Sequence, residues 1–444
     1  MTLAPTISSS DAVRSLEAGA LDGLTILRYA HAYESGGGVE QYLYDLNRTL
    51  GERNRCTIIQ VQLTTSRERA AETEERVGTA RVIKVPLLVQ ERATGGVEKS
   101  SALTTAKNFI RDRMLFVPGI FHVITKPLLR DRPVPRRAGE PENTGNRITE
   151  LAIRFRVNLI VLHTCGGADV SEILDVAEAR NIPVALVHHF SNDRLRHFSV
   201  RQQTMHARAI GGVSDVDVPH HLAERFCSLS DGIDVDFFRR EQARWIAEAP
   251  PEPILFLPAR LTRSKGQLDV LAVAARLKER SLPVAVVFAG RVDSSEFQKE
   301  LLAAADARGI RKQLFFVGQL DAARLRDWYA AARVLVFPTR HHEGLPRILM
   351  ESQAMGLPSV SYGSGGVSGA VREGETGFVV EPGDIAQMTA LVENLLRDSN
   401  LHRAVALRAR QFAEQHFSLR ALVERHERFY LQALGQTRNG SGSC

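Results

Sequence analysis

The stretch "PILFLPARLTRSKGQLDVLAVAARLKERSLPVAVVFAG", residues 253–290, places two short apolar runs on either side of a helix-period segment. "PILFLPAR" and "PVAVVFAG" are nearly continuous in apolar residues, while "GQLDVLAVAARLKER" spaces its apolar residues at helical intervals. An apolar run without alternation suits a strand buried on both faces, and such strands belong to parallel sheets covered by helices. The stretch therefore reads as a βαβ unit. The rhythm continues through "QLFFVG", "RVLVFPT" and "GFVVEP", which predicts a doubly wound α/β domain.

The first half repeats the pattern, with "LTILRYA", "CTIIQVQL", "RVIKVP", "VNLIVLH" and "PVALVHH" as strands and "GVEQYLYDLNRTL" and "DVSEILDVAEARN" as helices. At 444 residues the chain exceeds what one core usually serves, so two such domains are expected. The expected division is a flexible tail over 1–23, a first doubly wound domain over 24–240, and a second over 241–415. A C-terminal helix over 416–435 is expected to pack back on the first domain, with a flexible tail over 436–444. The boundary near 240 rests on "SDGIDVDFFRREQARWIAEAPPEP", where a turn, charges and prolines replace the strand pattern.

With 44% hydrophobic and 24% charged residues, the composition is that of a globular protein. No basic start with an apolar run marks a secretory signal, and "MLFVPGIFHVIT" at 114–125 is about half of the ~20 residues a spanning helix needs. Cys56, Cys165, Cys227 and Cys444 lie far apart with no metal-ligand spacing, which suits a reducing compartment, the cytoplasm, and neither zinc nor a disulfide frame. Nothing points to nucleic acid. The net charge of +6 is mild, but residues 107–137 hold eight Lys/Arg against two Asp/Glu. That segment interleaves Phe109, Leu115, Phe116, Val117, Ile120 and Phe121, and reads either as a solvated loop or as a patch for an anionic membrane surface.

Parallel sheets bind ligands at the carboxyl ends of their strands, so the loops there are where chemistry is expected. After the first strand, "ESGGGVEQYLYDL" opens a helix with three glycines, which suits either an anion facing backbone N–H groups or a tight connection. "ARLTRSKG" puts Arg260 at a strand end and Lys265 ahead of a helix, two cations that fit a diphosphate or a solvated basic loop. In "RHHEGLPRILMESQAMGLP", residues 340–358, Pro346 suits a first helical position and Gly356 with Pro358 a stop, predicting a helix over 346–356. Glu343 then lies in the loop and Glu351 in the second turn, too far apart along the helix for the ~5–5.5 Å pair of a retaining glycosidase. They fit either two ends of one elongated ligand or a dipole-favoured glutamate and one on a solvated face. "SYGSGGVSGAV" offers Gly365 and Gly366 after another strand, and of His188 and His189 only one is expected to face a cleft. The "DVD" triplets at 215–217 and 234–236 read as a helix cap and a linker, with no cluster to complete a metal site.

In this order these stretches resemble the family 4 retaining glycosyltransferases, group 1 enzymes of the GT-B fold, from about residue 24 to 435. The most specific element is the glutamate, seven residues, glutamate pattern of "EGLPRILME", followed by "SQAMGLPSVSYGSGGVSGAVREGETGFVVEPGD". "GGVE" at 37–40, "ARLTRSKG" at 259–266, "GIDVDFF" at 232–238 and the histidine six residues beyond Pro183 support it. The resemblance implies two Rossmann-like domains across a cleft, the second holding a nucleotide-sugar donor and the first a carbohydrate, lipid-linked or small-molecule acceptor. It implies that Arg260 and Lys265 hold the diphosphate, that Glu343 contacts the sugar and Glu351 the ribose, and that His189 sits beside the reacting sugar. Gly37, Gly38, Gly344, Leu345, Gly366 and Val367 would line the donor. It further implies retention of configuration with no metal or cofactor, a role in polysaccharide or glycoconjugate synthesis, and a cytoplasmic site that includes the inner face of the membrane. Ala259, Leu345, Pro346, Asp231 and Gly369 depart from the family pattern, where glycine, an aromatic residue, glycine, asparagine and glutamate are usual. Competing readings are a sugar-nucleotide epimerase of the same bilobal fold and a non-catalytic homologue.

Overall fold

A computed structural model describes residues 19–33, 38–64, 71–88, 144–164, 168–189, 195, 203–216 and 218–436. Gly37 and the basic segment 107–137 lie outside the described residues.

The first sheet runs β3-β4-β2-β1-β5-β6-β7-β8. Its strands are β1 (Thr25–Tyr33), β2 (Thr57–Thr64), β3 (Thr73–Val77), β4 (Ala80–Leu88), β5 (Leu159–Leu162), β6 (Val184–His188), β7 (Ala209–Gly212) and β8 (Phe226–Ser228). All pair in parallel except the β3–β4 hairpin, whose first strand, "TEERV", is almost wholly exposed and shows no apolar run to betray it. Helices α1 (Gly38–Arg53), α2 (Thr144–Phe155) and α3 (Ala168–Ala179) cover the sheet.

The second sheet is parallel throughout, in the order β11-β10-β9-β12-β13-β14. It comprises β9 (Ile254–Pro258), β10 (Ala285–Ala289), β11 (Leu314–Phe316), β12 (Val334–Phe337), β13 (Ser359–Tyr362) and β14 (Phe378–Val380). Helices α4 (Gln267–Glu279), α5 (Ser295–Ala307), α6 (Ala322–Ala331), α7 (Arg347–Ala354), α8 (Val367–Ala370), α9 (Ile385–Arg397) and α10 (Ser399–His416) complete it. In both sheets the direction of strand addition reverses beside the first strand, β1 with β5 and β9 with β12. Such a reversal opens a crevice at the strand ends.

The chain crosses between the domains twice, and the two crossings run side by side. Ile233 N donates to Phe417 O at 2.8 Å, and Arg425 donates to Leu229 O and His416 O. Arg410 Nη1 reaches Val235 O, Phe238 O and Ala354 O, tying the first crossing to the second domain. Beyond the return crossing, α11 (Leu419–Ala433) lays Leu422, Val423, Phe429, Tyr430 and Ala433 into a core shared with β1, α1 and β7.

Two local expectations are corrected. Asp215 lies in a turn closed by Val216 N donating to Ser214 Oγ, not at a helix start, because the chain turns before a short 3₁₀ segment at His220–Arg225. The helix of the paired glutamates runs over Arg347–Ala354, with Pro346 one residue outside it in extended backbone.

Candidate active site

Lys265 ends a short 3₁₀ turn, Arg263–Lys265, and Gly266 then caps α4 in left-handed backbone, φ 78°. Only glycine fits there, since a Cβ would stand 2.1 Å from Pro338 O. The two loops are thereby pressed together, and Arg340 N donates to Ser264 O at 2.7 Å. This packing delivers Lys265 Nζ to Glu343 Oε1 at 2.5 Å, with both side chains 16% exposed. Thr339 Oγ1 donates to the same oxygen at 3.2 Å. Glu343 Oε2 carries no hydrogen bond among the described residues. The second domain thus presents a fixed lysine beside a glutamate with one committed oxygen and one open one.

Glu351 is held by different partners. Tyr329 Oη on α6 donates to Oε2 at 3.0 Å, and Arg347 Nε approaches Oε1 at 3.8 Å. Burial raises the Glu351 carboxyl above its ordinary range, opposed by the Arg347 charge and the tyrosine hydrogen bond. Oε1 again accepts no hydrogen bond among the described residues. The two glutamates share no partner and form no pair.

The backbone around them is tight. Gly366 N donates to Glu343 O at 2.8 Å, and a Cβ on Gly366 would fall 1.4 Å from Gly344 O. Gly344 in turn faces the first domain, where a Cβ would meet His189 O at 2.5 Å. Gly344 and Gly366 therefore bring the two domains together at His189. Val367, which begins α8, is buried, and Leu345 packs at the edge of the second core. Gly369, the departure from a usual glutamate, faces Ser214 Oγ and Val216 of the first domain, a space with no room for a long side chain. Arg260 lies farther out, 60% exposed, with Nη1 donating to Asp293 Oδ2 at 2.9 Å. It is not drawn to Lys265 or Glu343.

On the first-domain side, His189 follows β6 while His188, the strand's last residue, is buried. His189 Nε2 lies 3.0 Å from His163 Nδ1, the rings stack at 5.2 Å, and Tyr42 of α1 meets His189 edge-on at 4.7 Å. Tyr42 Oη also bonds His426 Nε2 of α11. Burial, with the neighbouring His188, pushes His189 down to about 3, and burial lowers His163 far below its usual value, so both rings are neutral. Gly38 opens α1, the helix that carries Tyr42.

Of the expected residues, Lys265, Glu343, Gly344 and Gly366 come together with His189 at the crevice, and Glu351 is buried in the second turn of α7. His163, Tyr42, Thr339, Tyr329 and Arg347 were not singled out by sequence reasoning. His163 sits at the end of a strand, where ligand groups are expected, and Arg347 lies four residues from each glutamate. Those two positions were the available signals. Among the described residues, no group of three or more His, Cys, Asp or Glu side chains is placed to hold a metal, and no helix is long and apolar enough to cross a membrane.

Residues 239–412, spanning this sheet and its loops, match the family of glycosyl transferases group 1. That match covers most of the second domain. D-inositol 3-phosphate glycosyltransferase 1 of Catenulispora acidiphila is 34% identical over 197 residues, 42% of this chain and 46% of the relative. The chain thus spans about half the length of the curated relatives it matches. Sucrose-phosphate synthase of Thermosynechococcus elongatus superposes with a TM-score of 0.65 over 93% of this chain and 100% of that one, at 17% identity. Anabaena HepE, in complex with UDP and glucose, gives 0.61 over 91% of this chain and 98% of that one, at 15% identity. These likenesses show that the chain has the two-domain GT-B fold.

Proposed function

We propose that this protein is a retaining glycosyltransferase that moves a sugar from a nucleotide-diphosphate sugar to a glycan, lipid-linked or small-molecule acceptor, with no metal. The observation that carries this reading is the pair Glu343 and Glu351, the first with one oxygen held by Lys265 and Thr339 and the other unbonded among the described residues, the second held by Tyr329 and facing Arg347, in the loop before and the second turn of one helix. That arrangement grips two ends of one elongated donor, with Glu343 at the sugar and Glu351 at the ribose. Similarity to a D-inositol 3-phosphate glycosyltransferase supports the same class.

In the reaction proposed, the bond from the sugar's anomeric carbon to the diphosphate oxygen breaks, and both electrons leave with the diphosphate. The acceptor hydroxyl forms its bond to that carbon on the same face, and its proton passes to the departing phosphate oxygen. Lys265, already fixed 2.5 Å from Glu343, meets the growing negative charge, and Arg260 adds a second cation from the rim. His189 is uncharged and beside Gly344, so it packs against the sugar and contributes no competing positive charge.

Incubation with UDP-, GDP-, ADP- and dTDP-sugars and an acceptor panel should release nucleotide from one donor, equally with EDTA. Glu343→Ala and Lys265→Ala should each lower turnover by about 10²–10³-fold. Strict dependence on added metal, or epimerised donor without transfer, would overturn the proposal.

A further inference from the structure

Arg347 is the first residue of α7, and its guanidinium faces carboxylates from three separate segments. Nη1 donates to Asp231 Oδ2 at 3.1 Å and to Gly232 O at 3.1 Å, both on the first crossing between the domains. Nη2 lies 3.5 Å from Asp45 Oδ2 on α1, in the first domain, and Nε lies 3.8 Å from Glu351. All three carboxylates are buried. Other groups around them are Tyr329 on α6 against Glu351, Gln41 Nε2 donating to Asp45 at 3.1 Å, and the charges of Arg48 near Asp45 and Arg425 near Asp231.

Buried carboxylates without counter-charge are costly, and one planar guanidinium with five donors is the side chain suited to serve three of them. The aspartate at 231, in place of the family's usual asparagine, meets its positive partner here. One edge of Arg347 touches the glutamate assigned to the donor's ribose, and the other touches the opposite domain.

We infer that Arg347 is a positioning residue that holds Glu351 in register for the donor and ties that register to closure of the two domains through Asp45. The inference rests on the proposed donor site. It deepens that reading by naming the contact that makes donor grip depend on how the domains sit. Asp45→Asn removes only the cross-domain charge and leaves Asp231 and Glu351 paired. Arg347→Lys keeps a positive charge that cannot span three carboxylates.

The test is donor affinity by calorimetry with the responsive nucleotide sugar, together with steady-state KM and kcat, for the full chain and both variants. Asp45→Asn should weaken donor binding and raise donor KM by about fivefold, with kcat within twofold of the parent. Arg347→Lys should raise KM at least as much. Loss of thermal stability with unchanged donor affinity in both variants would show a merely structural role and overturn the inference alone. A parent protein that binds no nucleotide sugar would overturn the donor site and this inference together.

Discussion

The second domain is built from one continuous stretch of chain, from the strand at Ile254 to the helix ending at His416, whereas the first domain borrows the chain's last helix. Both sheets reverse direction beside their first strand, yet their interiors differ. The second core is mainly Val, Leu, Phe, Ala and Ile, and its fully buried polar side chains, Gln267, Ser352, Gln353 and Thr389 among them, are uncharged. The first holds Arg28 fully buried on β1, donating to Asn47 Oδ1, whose Nδ2 donates to Gln60 Oε1 at 2.7 Å. Arg28 also lies 5.7 Å from the Tyr430 ring centroid on α11. Where the distant segment docks on the first domain, charged groups such as Arg28 and Glu427 are fully buried, whereas the contiguous domain, among the described residues, buries only uncharged polar groups to that depth.

The strongest way to break this comparison is to remove residues 418–436. Leu422, Val423, Phe429 and Tyr430 are each fully buried. At roughly 2 kcal/mol apiece, their loss amounts to about 8 kcal/mol, comparable with the whole stability of an ordinary domain. Limited proteolysis of the truncated chain should degrade the first domain and leave a protected fragment beginning near residue 230. Equal protection of both domains would show that α11 is an ornament on a self-sufficient fold.

The same difference decides what could be read from sequence. Ile254–Pro258, Ala285–Ala289 and Val334–Phe337 are wholly buried strands, so their apolar runs announce a parallel sheet. The strand Thr73–Val77 escapes because an exposed edge imposes no apolar pattern. Lys265, Glu343 and Gly366 were legible because short strand-end loops fix their position by local geometry. The Tyr42–His426 bond joins residues 384 apart in sequence, and Arg347 meets Asp45 across the crevice. The first depends on where a distant helix docks and the second on how two finished domains sit together, and no local period carries either. Arg260 was legible as a cation at a strand end, but its pairing with Asp293 was not, because Asp293 belongs to the neighbouring βα loop.

Acid should act on the first domain more than on the second. Burial holds His189 and His426 down to about 3 from 6.5, and lowers His163 as well. A histidine with a depressed folded value is stabilising above its unfolded value and loses that contribution as pH falls through the folded one. Stability should therefore decline from about pH 6.5 toward pH 3. The raised carboxyls of Glu351, Asp45 and Asp231 act with the opposite sign, since the folded state takes up their protons first. A net loss of stability is expected across this window, carried by the histidines. Denaturant titrations followed by hydrogen exchange should show β5, β6 and α11 losing protection ahead of the second sheet, and the reverse order would break the comparison.

The smallest change sharpens the comparison from the other side. Gly266→Ala leaves every apolar contact of the second core in place and alters one backbone position. Its Cβ would press on Pro338 O, one residue before Thr339, and left-handed backbone at φ 78° adds a penalty of its own. Together these should cost on the order of 3 kcal/mol, read as a lower denaturant midpoint with an unchanged slope. Relief of the clash must part the loop of Lys265 from that of Glu343, so donor turnover should fall further than the stability loss alone accounts for at temperatures where the variant remains folded. A variant with the parent's midpoint and turnover would mean that the two loops can separate without consequence, and that the contiguous domain does not owe its site to backbone packing.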